Sequence, residues 1–350
     1  MKKNLIAMIL TLGAGVAAGA DAANNVVANP PVNTGAPANA NTNANTIMLW
    51  PEGVPGARNI GPEKIGGGYN ANVTQASLTR VGPAVDRVNG TAVIICPGGG
   101  YVRMSTAREG DQYANWLSTL GVTAFVLKYR MQEYGHPAPL QDVLRAVRTV
   151  RARAAELGID PARIGVMGSS AGGHLAASAG TLFDHPLGRT GAALDSVSAR
   201  PDFLVLMYPV ITMKDPAAHA GSRKALLGPS PSPASVALMS LEDQVTAATP
   251  PTLLIHTQED KSVPVENSIV FYQALTRAGV PAEMYLFEHG GHGMGMRDGL
   301  GTSSHWPRRA EEWLRERGLL TPAARSQTAE KAAAKTVASA ADVTAAPQAK

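Results

Sequence analysis

The sequence has one cysteine, Cys96, in 350 residues, which excludes an intrachain disulfide, a cysteine-based zinc site and an iron–sulfur cluster. It also lacks a charge excess, since 31 lysines and arginines face 27 aspartates and glutamates. The net charge of +4 does not favour nucleic acid as a partner. Hydrophobic residues make up 45% of the chain, too many for a disordered protein and enough for a buried core. Only one long apolar run is present, near residue 1.

That run has the features of a secretory signal peptide. Lys2 and Lys3 precede apolar residues 5–18, and small residues at 18–22 offer cleavage sites of the Ala-x-Ala type. The run is shorter than the roughly 20 apolar residues that a membrane-spanning helix needs, so a signal is favoured over an anchor. We therefore expect a signal peptide within residues 1–22, removal of the first 20 or 22 residues, export to a periplasmic or secreted location, and no membrane span in the mature chain.

Composition divides the remaining chain into three parts. Residues 23–46 consist almost wholly of Asn, Ala, Pro, Thr, Val and Gly without an apolar period, which indicates a disordered linker. Residues 321–350 are rich in Ala and Lys and have no apolar stripe for docking, so they are predicted to be a disordered tail. Residues 47–320 then form one folded domain of ordinary size.

Short apolar runs alternate with helical patterns across this domain. Most runs are continuously apolar, as strands buried on both faces of a parallel sheet must be. The candidate strands are 91–96, 122–129, 163–168, 203–208, 252–257 and 283–287, and the candidate helices are 108–120, 140–157, 265–279 and 305–317. This order predicts an α/β fold with a mostly parallel central sheet and helices on both faces. On the second helix, a solvated face rather than an anion-binding strip is expected for Arg145, Arg148, Arg151 and Arg153.

The third candidate strand ends in Gly168-Ser169-Ser170-Ala171-Gly172. In a sharp strand-to-helix turn with serine at its apex, side chains two residues before and two residues after the serine would collide, so both positions must be glycine. This pattern favours Ser170 as a nucleophile over a tight turn without chemistry. Ser169 is expected to point away from the cleft. His174, four residues on, would lie behind Ser170, so a packing or structural role is favoured for it.

A glycine run, Gly98-Gly99-Gly100, follows the first candidate strand. No Gly-Lys-Ser/Thr follows it, and Arg103 occupies the third glycine position of a dinucleotide motif, so a nucleotide site is not indicated. Bare backbone N–H groups also stabilise the oxygen that gains charge when an acyl carbonyl is attacked. The expected donors are the N–H groups of Gly99, Gly100 and Ala171. Cys96, one step earlier, is interpreted as a small buried residue.

A candidate acid and a candidate base follow the serine. A Ser-His-Asp hydrolase of this fold has the chain order Ser, Asp, His. Asp260 comes after strand 252–257 and is the candidate acid, with Glu259 as its rival. His292, between two glycines after the last strand, is the candidate general base, whereas His289 is expected to be structural. A zinc site at these histidines is not favoured, because the loop is rich in glycine and poor in carboxylates. No cofactor or metal is expected.

Together these segments resemble α/β-hydrolase-fold carbohydrate esterases, the group that contains acetylxylan esterases and bifunctional acetyl/feruloyl esterases. The likeness spans about residues 47 to 317, and it implies that 47–320 is a catalytic domain with Ser170, Asp260 and His292 as the triad. It supports Asp260 over Glu259. Pro97 stands where hormone-sensitive-lipase relatives usually have histidine, which moves this chain away from that branch. The segments that carry the likeness are 96–101, 168–176, 260–268 and 287–293.

The resemblance implies a serine esterase that removes short acyl groups, acetyl above all, from plant cell-wall carbohydrate such as acetylated xylan. Tyr101 and Met294 are candidate substrate contacts, and residues 212–248 are a candidate lid or connector. One alternative is a peptidase related to prolyl oligopeptidase, against which the missing propeller counts. Another is a non-catalytic exported binding protein. The expected partner is a small-molecule or oligosaccharide ester, and the sequence does not indicate an oligomeric state.

Overall fold

An eight-stranded sheet organises the part of the chain that the computed structural model describes, residues 45–83 and 87–322. Its strands lie in the order β1-β4-β6-β5-β7-β8-β9-β10, and β5 to β10 are mutually parallel. The strands β4 and β1 extend one edge in antiparallel pairing, and β2 with β3 forms a separate hairpin. The bounds are β1 (Thr46–Met48), β2 (Lys64–Gly66), β3 (Tyr69–Ala71), β4 (Ser77–Val81), β5 (Ala92–Cys96), β6 (Thr123–Lys128), β7 (Ile164–Ser169), β8 (Phe203–Met207), β9 (Thr252–Thr257) and β10 (Ala282–Phe287).

Helices cover both faces of this sheet. Successive residues of a strand point to opposite faces of the sheet, and both faces of β5 are apolar. Ile94 packs in the apolar cluster on one face and Ile95 in the cluster on the other. Side chains of α2, α4 and α7 fill the first cluster, and those of α1 and α8 fill the second. The bounds are α1 (Gln112–Thr119), α2 (Ala138–Ala152), α3 (Ala154–Leu157), α4 (Ala171–Thr181), α5 (Ala220–Leu227), α6 (Pro233–Leu238), α7 (Glu266–Arg277) and α8 (Trp306–Glu316).

The predicted α/β architecture with a mostly parallel sheet is confirmed, and all six predicted strands lie within one or two residues of observed ones. The sequence reading missed β1 to β4, which are three to five residues long and mix polar with apolar residues. Strand β1 includes Thr46, a residue assigned to the linker. The predicted signal peptide, the linker up to residue 44 and the tail from residue 323 lie outside the described residues. Within the described ranges, no helix is long and apolar enough to cross a membrane.

The expectation of a solvated arginine face on α2 is wrong for Arg145 and Arg148, which are buried. Arg145 donates to the carbonyl of Leu49 at 3.0 Å and pairs with Glu52 at 2.6 Å. Arg148 pairs with Asp195 at 3.2 Å. The chain segments that follow β1 and α4 cover this face of α2. They supply the acceptors, which are the carbonyl of Leu49 and the carboxylates of Glu52 and Asp195. Arg151 and Arg153 remain half-buried.

Candidate active site

The turn between β7 and α4 holds Ser170 in a strained backbone conformation, with φ of 56° and ψ of −124°. A Cβ on Gly168 would lie 2.1 Å from the carbonyl oxygen of Gly172, and a Cβ on Gly172 would lie 2.1 Å from that of Cys96. Both glycines are therefore required by the close approach of backbone. The N–H of Ser170 donates to the carbonyl of Met207 on β8, which anchors the turn to the neighbouring strand.

Three side chains from three different loops meet at this turn. The Oγ of Ser170 lies 2.9 Å from Nε2 of His292, and Nδ1 of His292 lies 2.6 Å from Oδ2 of Asp260. Asp260 follows β9 and His292 follows β10, so both come from the carboxyl ends of parallel strands. The structure thus brings together the three predicted triad residues in the order nucleophile, base, acid.

Asp260 is fixed by more than His292. Its Oδ1 accepts the N–H groups of Ser262 and Val263, each at 2.9 Å. Its Oδ2 also lies 3.3 Å from Nε2 of His256, a fully buried residue of β9. Burial on its own raises the pKa of Asp260, but hydrogen bonds from His256, His292 and Val263 outweigh it and hold the pKa well below its ordinary value. The carboxyl group is therefore ionised whenever the protein is near neutral pH.

The buried imidazole of His256 is itself oriented at both ring nitrogens. Nδ1 lies 2.7 Å from Oγ of Ser268, and Nε2 lies 3.1 Å from the carbonyl of Val263. A carbonyl only accepts, so Nε2 carries the proton and Nδ1 accepts from the hydroxyl. The sequence reading missed His256, although a single histidine in the apolar strand 252–257 was a usable signal.

The rival acid Glu259 lies outside this arrangement. Its carboxylate pairs with Nδ1 of His289 at 2.9 Å, and both side chains are more than half exposed. The hydrogen bond with His289 lowers the pKa of Glu259, and the same bond raises the pKa of His289. The structure therefore separates the two carboxylates by environment and places only Asp260 next to His292.

The glycine run forms a tight turn beside Ser170. The carbonyl of Gly99 accepts the N–H groups of Val102 and Arg103 at 3.1 and 3.2 Å. Gly99 has φ of +133°, and a Cβ there would lie 2.0 Å from the carbonyl of Arg103, so only glycine fits. Among the described residues, no protein acceptor receives the N–H groups of Gly99, Gly100 and Ala171. Such groups next to a nucleophile suit an oxyanion.

Beneath the glycine turn lies a buried carboxyl group that the sequence reading did not identify. Glu109 belongs to a π-helical turn, Ala107–Asp111, which precedes α1. Its Oε2 accepts the N–H of Gly98 at 2.8 Å, and its Oε1 accepts the hydroxyl of Tyr208 at 2.7 Å. Burial is the main influence on Glu109 and raises its pKa. The Tyr208 ring packs edge-on against His292 with centroids 5.1 Å apart. Glu109 thus links the glycine turn to the surroundings of the base.

Two predicted substrate contacts are not on the cleft surface, and that expectation is corrected. Tyr101 is 1% exposed, because its φ of 61° turns the side chain into the core, where its hydroxyl lies 2.9 Å from Nδ1 of His174. Met294 is also 1% exposed and packs in the apolar cluster that contains Trp306. Neither side chain is available to a ligand in this conformation.

His174 has the structural role that was expected. Its Nε2 lies 2.9 Å from the carbonyl of Met239, and burial lowers its pKa to about 4. The imidazole therefore joins Tyr101, at the end of the glycine turn, to the segment 212–248. Ser169 is also buried and donates to the hydroxyl of Tyr113, away from the cleft. Cys96 is a buried free thiol.

A cleft of about 410 Å³ opens in front of Ser170 and His292. Gly99, Gly100 and Gly293 line it on the side of the catalytic loops. The segment 212–248 is structured, contains α5 and α6, and contributes His219 to the wall. Three arginines also line the cleft: Arg103, Arg108 and Arg297. A larger cavity of about 880 Å³ lies between residues 132–136 and the helix α5.

Curated proteins with xylanase and esterase names are similar to part of this chain. The chain is 39% identical over 213 residues to endo-1,4-beta-xylanase B of Butyrivibrio fibrisolvens, which covers 60% of this chain and 33% of the relative. It is 34% identical over 211 residues to an acetylxylan esterase of Xylanibacter ruminicola, covering 59% of this chain and 42% of that protein. The chain therefore spans less than half the length of both curated relatives.

Solved structures match over a larger share of their length. The acetyl ester-xyloside bifunctional hydrolase of Caldicellulosiruptor lactoaceticus superimposes with a TM-score of 0.69 at 40% identity, covering 78% of this chain and 96% of that one. The carboxylesterase Cest-2923 of Lactobacillus plantarum does so with a TM-score of 0.61 at 27% identity, covering 75% and 98%.

The chain has the α/β-hydrolase fold, and the solved structures and curated relatives that it resembles include named ester hydrolases. The family model named BD-FAE matches residues 81–275, more than half of the sequence. The chain belongs to the BD-FAE family, and the resemblance to α/β-hydrolase carbohydrate esterases drawn from its motifs is confirmed.

Proposed function

We propose that this protein is a serine esterase that removes short acyl groups, acetyl above all, from plant cell-wall carbohydrate such as acetylated xylan. The observation that carries the proposal is the continuous hydrogen-bonded chain from Ser170 Oγ through His292 to Asp260, with distances of 2.9 and 2.6 Å. The glycine turn beside it supplies N–H groups for an oxyanion. The names of the relatives support the proposed substrate class.

In the acylation half-reaction, Ser170 Oγ attacks the ester carbonyl carbon and its proton moves to Nε2 of His292. The carbonyl oxygen becomes an oxyanion, and the N–H groups of Gly99, Gly100 and Ala171 donate to it. The tetrahedral intermediate then collapses: the bond to the alcohol oxygen breaks, and the proton on Nε2 passes to that oxygen. The products are the free sugar hydroxyl and an acyl-serine.

In the deacylation half-reaction, water takes the place of the alcohol. It gives a proton to Nε2 of His292 and its oxygen attacks the acyl carbon. When the second intermediate collapses, the carboxylic acid leaves and Ser170 recovers its proton. Asp260 keeps its negative charge throughout, because its low pKa favours the carboxylate, and it stabilises the imidazolium that forms twice in each cycle.

The substrate and the location belong to the same proposal. The xylanase and acetylxylan esterase names describe relatives of which this chain covers 33% and 42%, and the bifunctional hydrolase title joins an acetyl ester to a xyloside. These names support an acetylated xylan-type substrate. An exported enzyme would meet such fragments outside the cytoplasm, which agrees with cleavage of residues 1–22.

The test is acetate release from acetylated xylo-oligosaccharides by the chain without residues 1–22. Ser170→Ala is expected to abolish release, with a loss of about 10⁴-fold or more in kcat. The matched control is Ser169→Ala, which removes the neighbouring hydroxyl and is expected to keep the activity. If the protein cleaves p-nitrophenyl acetate through Ser170 but releases no acetate from the sugar, the carbohydrate assignment is wrong. A folded protein that a fluorophosphonate does not label at Ser170 would contradict the esterase proposal itself.

A further inference from the structure

Three arginines surround the catalytic cleft, each from a segment that also carries a part of the site. Arg103 ends the glycine turn, Arg108 lies in the π-helical turn next to Glu109, and Arg297 follows the loop of His292. All three line the 410 Å³ cleft that contains Ser170, and all three are exposed. The three side chains therefore border the space in front of Ser170 and His292. We call them the cleft arginines.

None of the cleft arginines forms an ion pair within the described residues, and the one carboxyl group on which Arg108 acts electrostatically is the buried Glu109. Arg103 lies over the ring of Tyr69, with Cζ 4.3 Å from the ring centroid. Arg297 donates only to backbone, from Nε to the carbonyl of Met294 at 3.1 Å and from Nη2 to that of Gly293 at 3.2 Å. Some exposed arginines elsewhere do pair with glutamates, as Arg308, Arg309 and Arg315 do.

The cleft has little negative charge of its own. Glu109 is the one carboxyl group among the described residues that line it, and both of its oxygens already accept hydrogen bonds, from Gly98 and Tyr208. The whole chain carries a net charge of only +4, so three unpaired arginines at one cleft are not the result of a generally basic surface. Positive charge is concentrated where the substrate binds.

We propose that the cleft prefers esters that carry a carboxylate near the scissile bond, such as an acetylated oligosaccharide bearing a uronic acid. This inference rests on the esterase activity proposed above. A guanidinium matches a carboxylate with two parallel hydrogen bonds, and the stacking of Arg103 on Tyr69 holds one guanidinium ready for it. Each exposed pair contributes about a two- to fivefold gain in affinity, and three together contribute about tenfold at low salt.

The test separates binding from turnover. The full chain with Ser170→Ala is titrated calorimetrically with acetylated xylotetraose and with the same compound bearing one glucuronic acid. The acidic ligand is expected to bind about tenfold more tightly at low salt, and this ratio is expected to fall toward one in 0.5 M NaCl. The triple variant Arg103→Gln, Arg108→Gln, Arg297→Gln is expected to lose the preference. Arg277→Gln removes one exposed arginine of α7 outside the cleft, so it is the control for loss of an exposed positive charge, and it is expected to keep the preference.

A third ligand shows on which side of the scissile ester bond the cleft recognises the carboxylate. Xylotetraose esterified with succinate instead of acetate places the charge on the acyl side. Tighter binding of either acidic ligand supports the inference and identifies the side. Equal affinity of all three ligands, or a preference that survives in the triple variant, overturns it.

Acyl release by the wild-type protein is measured on the same compounds. Selective binding without release contradicts the proposed esterase function and leaves the charge preference standing. Release of the acyl group without a charge preference supports the esterase function and overturns the charge preference.

Discussion

His256 Nε2 lies 3.3 Å from Asp260 Oδ2, the oxygen that also lies 2.6 Å from Nδ1 of His292. One carboxylate oxygen is therefore shared between two imidazoles. The His256 side chain is fully buried, whereas that of His292 is 24% exposed. The buried ring therefore restrains the carboxylate from the side opposite to His292, the proposed general base.

Substituting His256 tests this restraint. His256→Leu removes a donor to a charged acceptor, which is worth about 1.5–3 kcal/mol, so kcat is expected to fall about 10- to 100-fold. KM should change little, because His256 does not line the cleft. The control is His289→Leu, since that histidine also pairs with a carboxylate but at the surface. Equal losses in both variants would show that His256 does not act through Asp260.

Glu109 is expected to position the glycine turn. Glu109→Ala leaves the N–H of Gly98 and the hydroxyl of Tyr208 without their acceptor, and each buried unsatisfied group costs about 1–3 kcal/mol. Urea unfolding should show a lower free energy of unfolding. The fold-decrease in kcat should be larger than the fold-increase in KM. Glu109→Gln keeps one acceptor oxygen and is expected to recover part of kcat. An alanine variant with wild-type kcat would rule out the positioning role.

The elbow glycines tolerate no side chain. Gly172→Ala places a Cβ 2.1 Å from the carbonyl oxygen of Cys96, so the backbone must shift. The free energy of unfolding is expected to fall by about 3 kcal/mol or more. Gly66→Ala in β2 is the control, because a Cβ there meets nothing within 4 Å. The denaturation midpoint in urea measures both, and an unchanged midpoint for Gly172→Ala would contradict the packing described.

Stability should depend on pH through His174. Its folded-state pKa of about 4 lies below the ordinary value of 6.5, so between these values the unfolded chain binds a proton that the folded chain does not. Stability is therefore full above pH 6.5 and is lost as the pH falls toward 4, by up to about 3 kcal/mol for this one group. His136, whose pKa burial also lowers to about 4, acts in the same direction.

The comparison of wild type with His174→Gln isolates that contribution. Free energies of unfolding measured in urea at pH 7.5 and pH 5 should differ less in the variant, which has no imidazole to protonate. A variant with the same pH dependence as the wild type would assign the effect to other groups.

Export has a direct readout. Expression of the whole chain in a Gram-negative host is expected to give a periplasmic or secreted protein that begins after Ala20 or Ala22. Intact-mass measurement of each fraction decides this. An uncleaved chain confined to the cytosol would contradict the signal peptide.

The sequence was most informative where function is encoded by neighbouring residues. The turn at Ser170 needs Gly168 and Gly172 at fixed spacing, and the structure places backbone against both positions. Asp260 and His292 were found because each follows a recognisable apolar strand. The α/β architecture followed from the same runs, since strands buried on both faces are continuously apolar.

Contacts between distant segments were not predictable in this way. Glu109 receives its hydrogen bond from Tyr208 across 99 positions. Arg145 is buried by Leu49 and Glu52, more than 90 positions away, and no helical period shows what will cover a face. Tyr101 adjoins the glycine turn in sequence, yet its positive φ turns the ring inward. Proximity along the chain suggested a ligand contact that backbone geometry prevents.

The bridge made by His174 limits how this enzyme can be re-engineered. The segment 212–248 forms a wall of the cleft through His219, so it is the obvious piece to exchange when a new specificity is wanted. The same segment holds the carbonyl of Met239 that fixes His174, and His174 in turn supports Tyr101 behind the glycine turn. A graft that alters the path of the chain at residue 239 therefore changes the catalytic turn together with the specificity. Grafts should keep residues 239 and 240 in place and vary the wall before them.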